Sequence, residues 1–439
     1  MRMQKPVRFF IRTFGCQMNE SDSERVSGLL HRAGGIAADR PEDADLVIVN
    51  TCAVREKSEE KLFSYLGRLA HLKKRRSVRI AVVGCVAQLR GWEILEKCPA
   101  VDYVFGPDNA AELEALAQRD VALKSVSTSW SEEWHETSPE LIRRESPASG
   151  YVTAMEGCDN FCAYCIVPYT RGREKYRPLA SILDEVRDLA RKGYLEVVLL
   201  GQNVNSYKDP DSGKPFAEML KEVALVDGPG WIRFLTSHPK NFRPEIAEAM
   251  ADIPKVCREL HLPLQTGSSA VLKKMKRGYS REDYLDIVSL LRRLMPGISL
   301  STDIIVGFPG ETDRDFEETL EVLRTVRFGS LFSFRYSPRP MTEASKLEDS
   351  VPKEVKQRRL AEVQLLQKEI QLEDHRRLVG KTMKVLGLGR GRKTPDLYSG
   401  RNENNQVVNF RSAEDPTGRF VEVRITGFGP YSLVGEKGG

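Results

Sequence analysis

The chain is 439 residues long, 41% hydrophobic and 29% charged, and its 67 Lys and Arg against 62 Asp and Glu leave a net charge of +5. That mix excludes a disordered chain and, at about 150 residues per domain, gives roughly three domains. No run approaches the ~18 apolar residues of a membrane-spanning helix, and so small a charge excess does not by itself announce a nucleic-acid binder.

The first residues run straight into Val7-Arg-Phe-Phe-Ile-Arg12, a strand pattern broken by charge rather than the apolar core of a signal peptide. A cytoplasmic protein is expected. Disulfides are rare there, so the eight cysteines (16, 52, 85, 98, 158, 162, 165 and 257) read as metal-binding or catalytic sets. Cys98 and Cys257 stand alone and read as small buried hydrophobes.

Three strand-like runs open the chain: Val7–Gly15, Asp45–Thr51 and Val78–Gly84. Each ends at a cysteine, Cys16, Cys52 or Cys85, and a helix-like stretch follows: Glu20–Ala33, Glu56–Lys74 and Gln88–Lys97. Repeated strand–loop–helix units imply a Rossmann-like parallel α/β sheet, whose carboxyl strand ends share one edge. The three cysteines are therefore expected to meet at one metal centre. A further strand at 101–105 and a helix at 110–118 complete a first domain over 1–125. Residues 126–149, rich in Ser, Glu and Pro, read as a linker.

From Tyr151 a second alternating series begins, with strands at 151–156, 195–201, 231–236, 259–264, 299–307 and 330–336 and helix-like stretches between them. Six βα units make a partial parallel barrel, here the domain 150–377, with active residues at the strand carboxyl ends. Cys158, Cys162 and Cys165 fall in the loop after its first strand. A structural zinc takes four ligands, and the six histidines lie outside both cysteine motifs. A distant histidine folding back keeps zinc open. Two sets of three thiolates suit iron–sulfur clusters, each with one iron open to a ligand.

Residues 352–378 read as a long helix whose Val355, Leu360, Val363, Leu366 and Ile370 form a packing stripe. Short strands and Gly-rich turns over 378–439 then read as a small β-barrel of the oligonucleotide-binding type. This stretch holds ten basic and six acidic residues, so +4 of the total +5 lies in it. Arg390, Arg392, Lys393 and Arg401 are candidate contacts to RNA phosphates. Lys73-Lys-Arg-Arg76 is a second basic run, equally explained by a helix carboxyl end.

CxxxCxxC after the first strand of a βα barrel resembles the radical S-adenosylmethionine (SAM) superfamily. The whole chain is similar to its methylthiotransferases, which join a three-cysteine domain, a radical-SAM barrel and an RNA-binding TRAM barrel in this order. Thr13-Phe-Gly-Cys-Gln-Met-Asn-Glu20, Asn50-Thr-Cys-Ala-Val-Arg-Glu-Lys57, Tyr169-Thr-Arg-Gly172 and Thr236-Ser-His-Pro239 resemble the branch that acts on isopentenylated adenosine in tRNA.

That resemblance implies two [4Fe–4S] clusters, one on Cys158, Cys162 and Cys165 with SAM on its open iron, the other on Cys16, Cys52 and Cys85. Gln202 and Asn203 would lie near the methionine amino group of SAM. Ser237 and Asp303 would meet its methionine or ribose, and Gly307–Thr312 would form a turn beside it or simply start the next helix. The implied activity puts a methylthio group on C2 of N6-isopentenyladenosine at position 37, next to the anticodon. The expected partners are the tRNA anticodon stem-loop and an electron donor such as a flavodoxin or ferredoxin, with no membrane and a monomeric enzyme. Two other functions stay open: the same chemistry on threonylcarbamoyladenosine, and a non-catalytic iron–sulfur RNA-binding protein.

Overall fold

The computed structural model describes residues 5–54, 56–118, 124–391 and 396–438. Two compact units result: Met1–Glu145 with Met155–Asp159 and Cys165–Arg177, and Ser146–Ala154 with Asn160–Tyr164 and Pro178–Gly439. No helix among the described residues is long and apolar enough to cross a membrane.

The first unit is built on strands β1 (Arg8–Phe14), β2 (Ile36–Ala37), β3 (Leu46–Thr51), β4 (Arg79–Val83), β5 (Tyr103–Phe105) and β6 (Ser125–Ser127). They form one parallel sheet in the order β2-β1-β3-β4-β5-β6. Helices α1 (Gln17–Arg32), α2 (Glu56–Arg75), α3 (Cys85–Arg90), α4 (Trp92–Lys97) and α5 (Leu113–Gln118) connect the strands. β3 and β4 read as near-continuous apolar runs because both faces are covered: Val47, Val49, Ile80 and Val82 pack on one side, Leu46, Ile48, Ala81 and Val83 on the other. The helix expected over 88–97 is two helices, because Gly91 takes φ +46° and breaks the ladder. Residues 126–149 begin inside the sheet, as part of β6, are held by an Arg144–Glu24 ion pair of 3.1 Å, and reach the start of the next strand at Ser149.

The order change between β1 and β3 fixes a switch point, where a crevice opens at the strand carboxyl ends. Lys73 pairs with Asp102 and Arg76 with Asp45, so half of the first basic run serves the fold.

In the second unit six parallel strands follow: β7 (Ser149–Thr153), then, after the hairpin β8 (Met155–Glu156) and β9 (Lys175–Tyr176), which lies in the first unit, β10 (Glu196–Leu200), β11 (Trp231–Phe234), β12 (Glu259–His261), β13 (Ser299–Val306) and β14 (Ser330–Arg335). They form two three-stranded sheets, β11-β10-β7 and β12-β13-β14, bridged by the parallel pairing Ile232 to Val256. This is the expected partial (βα)6 barrel. The short α6 (Val167–Thr170) follows the cysteine loop; α7 (Leu179–Arg191), α8 (Phe216–Ala224), α9 (Pro244–Asp252), α10 (Ser269–Lys274), α11 (Arg281–Leu294) and α12 (Asp313–Val326) lie between the strands.

Helix α13 (Lys353–Arg376) departs from its expected apolar stripe. Of that stripe only Val363 and Ile370 are buried; the rest of the buried face is Lys356, Arg359, Gln367, Gln371 and His375. These long polar side chains reach strand-end groups instead. Gln367 donates to Phe328 O (2.7 Å), Gln371 to Gly329 O (2.9 Å), and Arg359 to Glu311 (2.7 Å).

Strands β15 (Thr382–Arg390), β16 (Tyr398–Asn402), β17 (Val407–Arg411), β18 (Phe420–Phe428) and β19 (Leu433–Lys437) close the small C-terminal barrel. It is anchored at the amino ends of the parallel strands. Arg233 of β11 is buried, bonds Glu196 at 2.6 Å, and donates to Asn402 O (2.7 Å) and Glu403 O (2.8 Å) of the β16–β17 turn. Asn404 donates to Arg258 O and Gly297 O, the residues just before β12 and near the start of β13.

Candidate active site

The first three cysteines stand at the carboxyl ends of neighbouring strands β1, β3 and β4. Cys16 is the N-cap of α1, Cys52 follows β3, and Cys85 opens α3. The Cys52 thiol lies within hydrogen-bonding reach of both the Cys16 and the Cys85 sulfurs. That contact holds Cys16 down to about 7. The matching contact, reinforced by the Arg171 guanidinium, holds Cys85 down to about 6. Cys52, kept protonated by its contacts with the Cys16 and then the Cys85 sulfur and by burial, is pushed well above the usual thiol range. No three His, Cys, Asp or Glu side chains among the described residues close round a single ion. The trio is instead an open chain of sulfurs.

A buried amide pair, absent from the sequence reading, shapes these loops. Asn19 Nδ2 donates to Asn50 Oδ1 (3.0 Å), and Asn50 Nδ2 donates to Asn19 O (2.9 Å) and Ser23 Oγ (3.0 Å). Asn19 Oδ1 in turn accepts the Cys16 N–H at 3.4 Å. The glycine before each of two cysteines makes room: a Cβ at Gly15 would stand 2.3 Å from Asn19 Oδ1, and one at Gly84 2.3 Å from Asn50 Oδ1. Gly84 also takes φ 90°, ψ −158°, a region essentially closed to other residues. The repeated Gly-Cys dipeptide was the legible signal. Gly84→Ala is expected to cost about 2–4 kcal/mol, from backbone strain and a broken buried amide bond. The urea midpoint of the metal-free protein measures it.

Cys158, Cys162 and Cys165 share the loop after β7–β8. In the first unit, the Cys158 N–H donates to Gly172 O (3.2 Å). In the second, Cys162 is buried, and its sulfur accepts from Arg277 Nη1 at 3.3 Å and lies 3.6 Å from His238 Nε2. Burial and the Arg277 charge keep His238 far below the usual imidazole range, hence neutral. The loop backbone is pinned as well: the Ala163 N–H donates to Met275 O (2.9 Å), and its carbonyl accepts from Ala344 (2.7 Å).

The other expected contacts fall unevenly. Gln202 and Asn203 follow β10 as expected, and Asn241 accepts from both Asn203 Nδ2 (3.2 Å) and the cysteine-loop Asn160 Nδ2 (3.3 Å). Ser237 follows β11 and is buried. Asp303 sits inside β13, 3.6 Å from His261 Nε2. In the turn after β13, Gly307 N–H donates to Glu311, and Thr312 caps α12 with Asp315, so the turn starts a helix. Arg390 lies over the Tyr398 ring at 4.0 Å, and Arg401 is exposed and bonds Asn405. Arg392 and Lys393 lie outside the described residues. Cys98 and Cys257 pack in apolar clusters.

Three family models match the chain: Uncharacterized protein family UPF0004 over residues 8–106, Radical SAM superfamily over 152–323, and TRAM domain over 376–437. Curated relatives match end to end. The tRNA-2-methylthio-N(6)-dimethylallyladenosine synthase of Clostridium novyi is 44% identical, over 98% of this chain and 96% of its own. Those of Thermodesulfovibrio yellowstonii (44%; 97% and 98%) and Alkalilimnicola ehrlichii (45%; 98% and 97%) match as well. The chain belongs to this synthase family. Among solved structures, the radical S-adenosylmethionine methyltransferase TsrM of Kitasatospora setae shares the fold, with a TM-score of 0.59 at 16% identity over 77% of this chain and 74% of that one.

Membership in the radical SAM superfamily implies SAM and a [4Fe–4S] cluster, and the residues fit them. Arg277 is a buried cation with no carboxylate partner among the described residues. Such a charge needs an anion, and the Cys162 sulfur beside it supplies one when it is a thiolate. Ser237 Oγ is buried without a hydrogen-bond partner, which suits a polar ligand. Beside the first trio, Thr51 Oγ1 is buried and equally unpartnered.

Proposed function

We propose that this member of the synthase family adds a methylthio group to C2 of N6-isopentenyladenosine at position 37 of tRNA. The observation that carries the reading is the gathering of Cys16, Cys52 and Cys85 at three neighbouring strand ends, in a chain that also holds the radical SAM CxxxCxxC loop. Each trio leaves a four-iron cluster one open iron. When bound, the two clusters and SAM supply a carbon radical and a methylated sulfur, the means to replace an unreactive aromatic C–H that no side chain can activate by acid–base chemistry.

The chain's own residues do the rest. Cys158, Cys162 and Cys165 hold the SAM-binding cluster, and Arg277 balances its thiolate charge. Gln202, Asn203, Ser237 and Asp303 orient SAM, with Asn241 tying Asn203 to the cysteine loop. Neutral His238 beside Cys162 adds no second positive charge. Cys16, Cys52 and Cys85 hold the second cluster in a crevice lined by the Asn19–Asn50 pair. Arg390, Arg392, Lys393 and Arg401 position the anticodon stem-loop by its phosphates, which orients RNA without reading bases. The enzyme works as a cytoplasmic monomer fed by a flavodoxin or ferredoxin.

Anaerobic reconstitution with iron counting tests the reading. About eight irons per chain are expected, and about four in the Cys158/Cys162/Cys165→Ala variant. The intact protein should also convert isopentenylated tRNA to its methylthio form. A count of one or two metals, or no conversion by the fully loaded enzyme, refutes the assignment.

A further inference from the structure

Arg171 takes no part in the chemistry above, yet it is among the most deeply buried cations of the first unit. Its Nε donates to the Cys85 sulfur at 3.3 Å. Its two terminal nitrogens both reach Asp22, Nη1 at 3.4 Å. A bidentate carboxylate fixes the plane of the guanidinium, so the remaining N–H is aimed at the sulfur.

The segment that delivers Arg171 is itself held. Arg171 stands six residues after Cys165, across the single turn of α6. Ile166 and Tyr169 of that segment pack into the apolar cluster formed by β3, β4 and their helices. The Thr170 hydroxyl bonds Ile166 O, and the Arg171 N–H donates to Val167 O at 2.8 Å. One short, packed segment thus carries a ligand of one cysteine set and a hydrogen-bond donor to the other.

We propose that Arg171 is a positioning residue for the cluster on Cys16, Cys52 and Cys85, and that Arg171 and Asp22 together set that cluster's reduction potential. The proposal rests on that trio holding a cluster, as argued above. Hydrogen bonds to cluster sulfurs and nearby net charge are the protein's levers on potential. A guanidinium beside a sulfur favours the more negative, reduced state and raises the potential. Asp22 offsets part of that charge. The two residues therefore act with opposite signs on the same cluster.

The test uses the full-length chain in the Cys158→Ala/Cys162→Ala/Cys165→Ala background, so that one cluster remains, followed by redox titration with electron paramagnetic resonance. Arg171→Met is expected to lower the midpoint potential. Asp22→Asn is expected to raise it, and Arg171→Lys, which keeps the charge, to fall nearer the parent than Arg171→Met. A merely structural ion pair would not give opposite shifts for its two halves. Unchanged potentials with iron retained, or shifts of the same sign, overturn the proposal. Should Arg171→Met fail to hold iron, Asp22→Asn decides alone: an upward shift supports the proposal and no upward shift overturns it. A parent background that binds no iron at all instead refutes the cluster assignment itself.

Discussion

Cys52→Ala is expected to abolish thiomethylation while leaving reductive SAM cleavage in place. Cys52 is the middle of the first trio, within hydrogen-bonding reach of both of the others. On the proposed reading its loss takes one of three ligands from the second cluster, and no fourth His, Cys, Asp or Glu gathers with the trio among the described residues. The radical SAM loop, on different strands, keeps its own three. Iron content should fall from about eight to about four per chain. 5′-Deoxyadenosine should still form, and no methylthio product should be detected. Normal product from Cys52→Ala would remove the trio from the reaction.

Arg233→Ala carries the largest expected loss of stability. Arg233 is buried between Glu196 and Glu259 and holds two carbonyls of the C-terminal barrel. Truncation leaves two buried carboxylates without their counter-charge and two carbonyls without donors. Breaking a buried pair from one side costs about 3–5 kcal/mol. Arg233→Lys restores the charge but not the fork that serves several acceptors at once, so it should recover only part of the loss. Chemical denaturation of the metal-free protein, followed by circular dichroism, reads both variants. A change within about 0.5 kcal/mol, the size of an ordinary surface substitution, would show that the anchor lies elsewhere.

The strand pattern and the cysteine positions were legible because both are local. A β-branched run followed by a cysteine states its place on a parallel sheet, and three such runs state a shared edge. The six strands of the partial barrel fell close to where periodicity put them. Partner choice was not legible. Nothing in Tyr169-Thr-Arg-Gly172 says that its arginine turns back to Cys85, and nothing near residue 50 says that Asn50 pairs with Asn19. Such pairings join residues far apart in sequence, so only the fold reveals them. Helix α13 misled for a physical reason. Its buried face bonds strand-end carbonyls and Glu311, so it wants long polar side chains where packing alone would want Leu and Val.

Helix α13 also acts as a spacer. Near its start Arg359 grips Glu311, just past the carboxyl end of β13, and near its end His375 Nδ1 bonds Gly429 O of the C-terminal barrel at 2.7 Å. Sixteen helical residues at 1.5 Å each set those two grips roughly 24 Å apart. With the Arg233 anchor at the amino ends of the strands, that length cannot vary freely. On the proposed reading, RNA held on the C-terminal barrel would be measured against a fixed rod before any base is tested. Which nucleotide reaches the cysteine loop would then be a matter of distance along the RNA. Removing one turn from the rod would move the point of delivery by about 5 Å, close to the spacing of a single nucleotide.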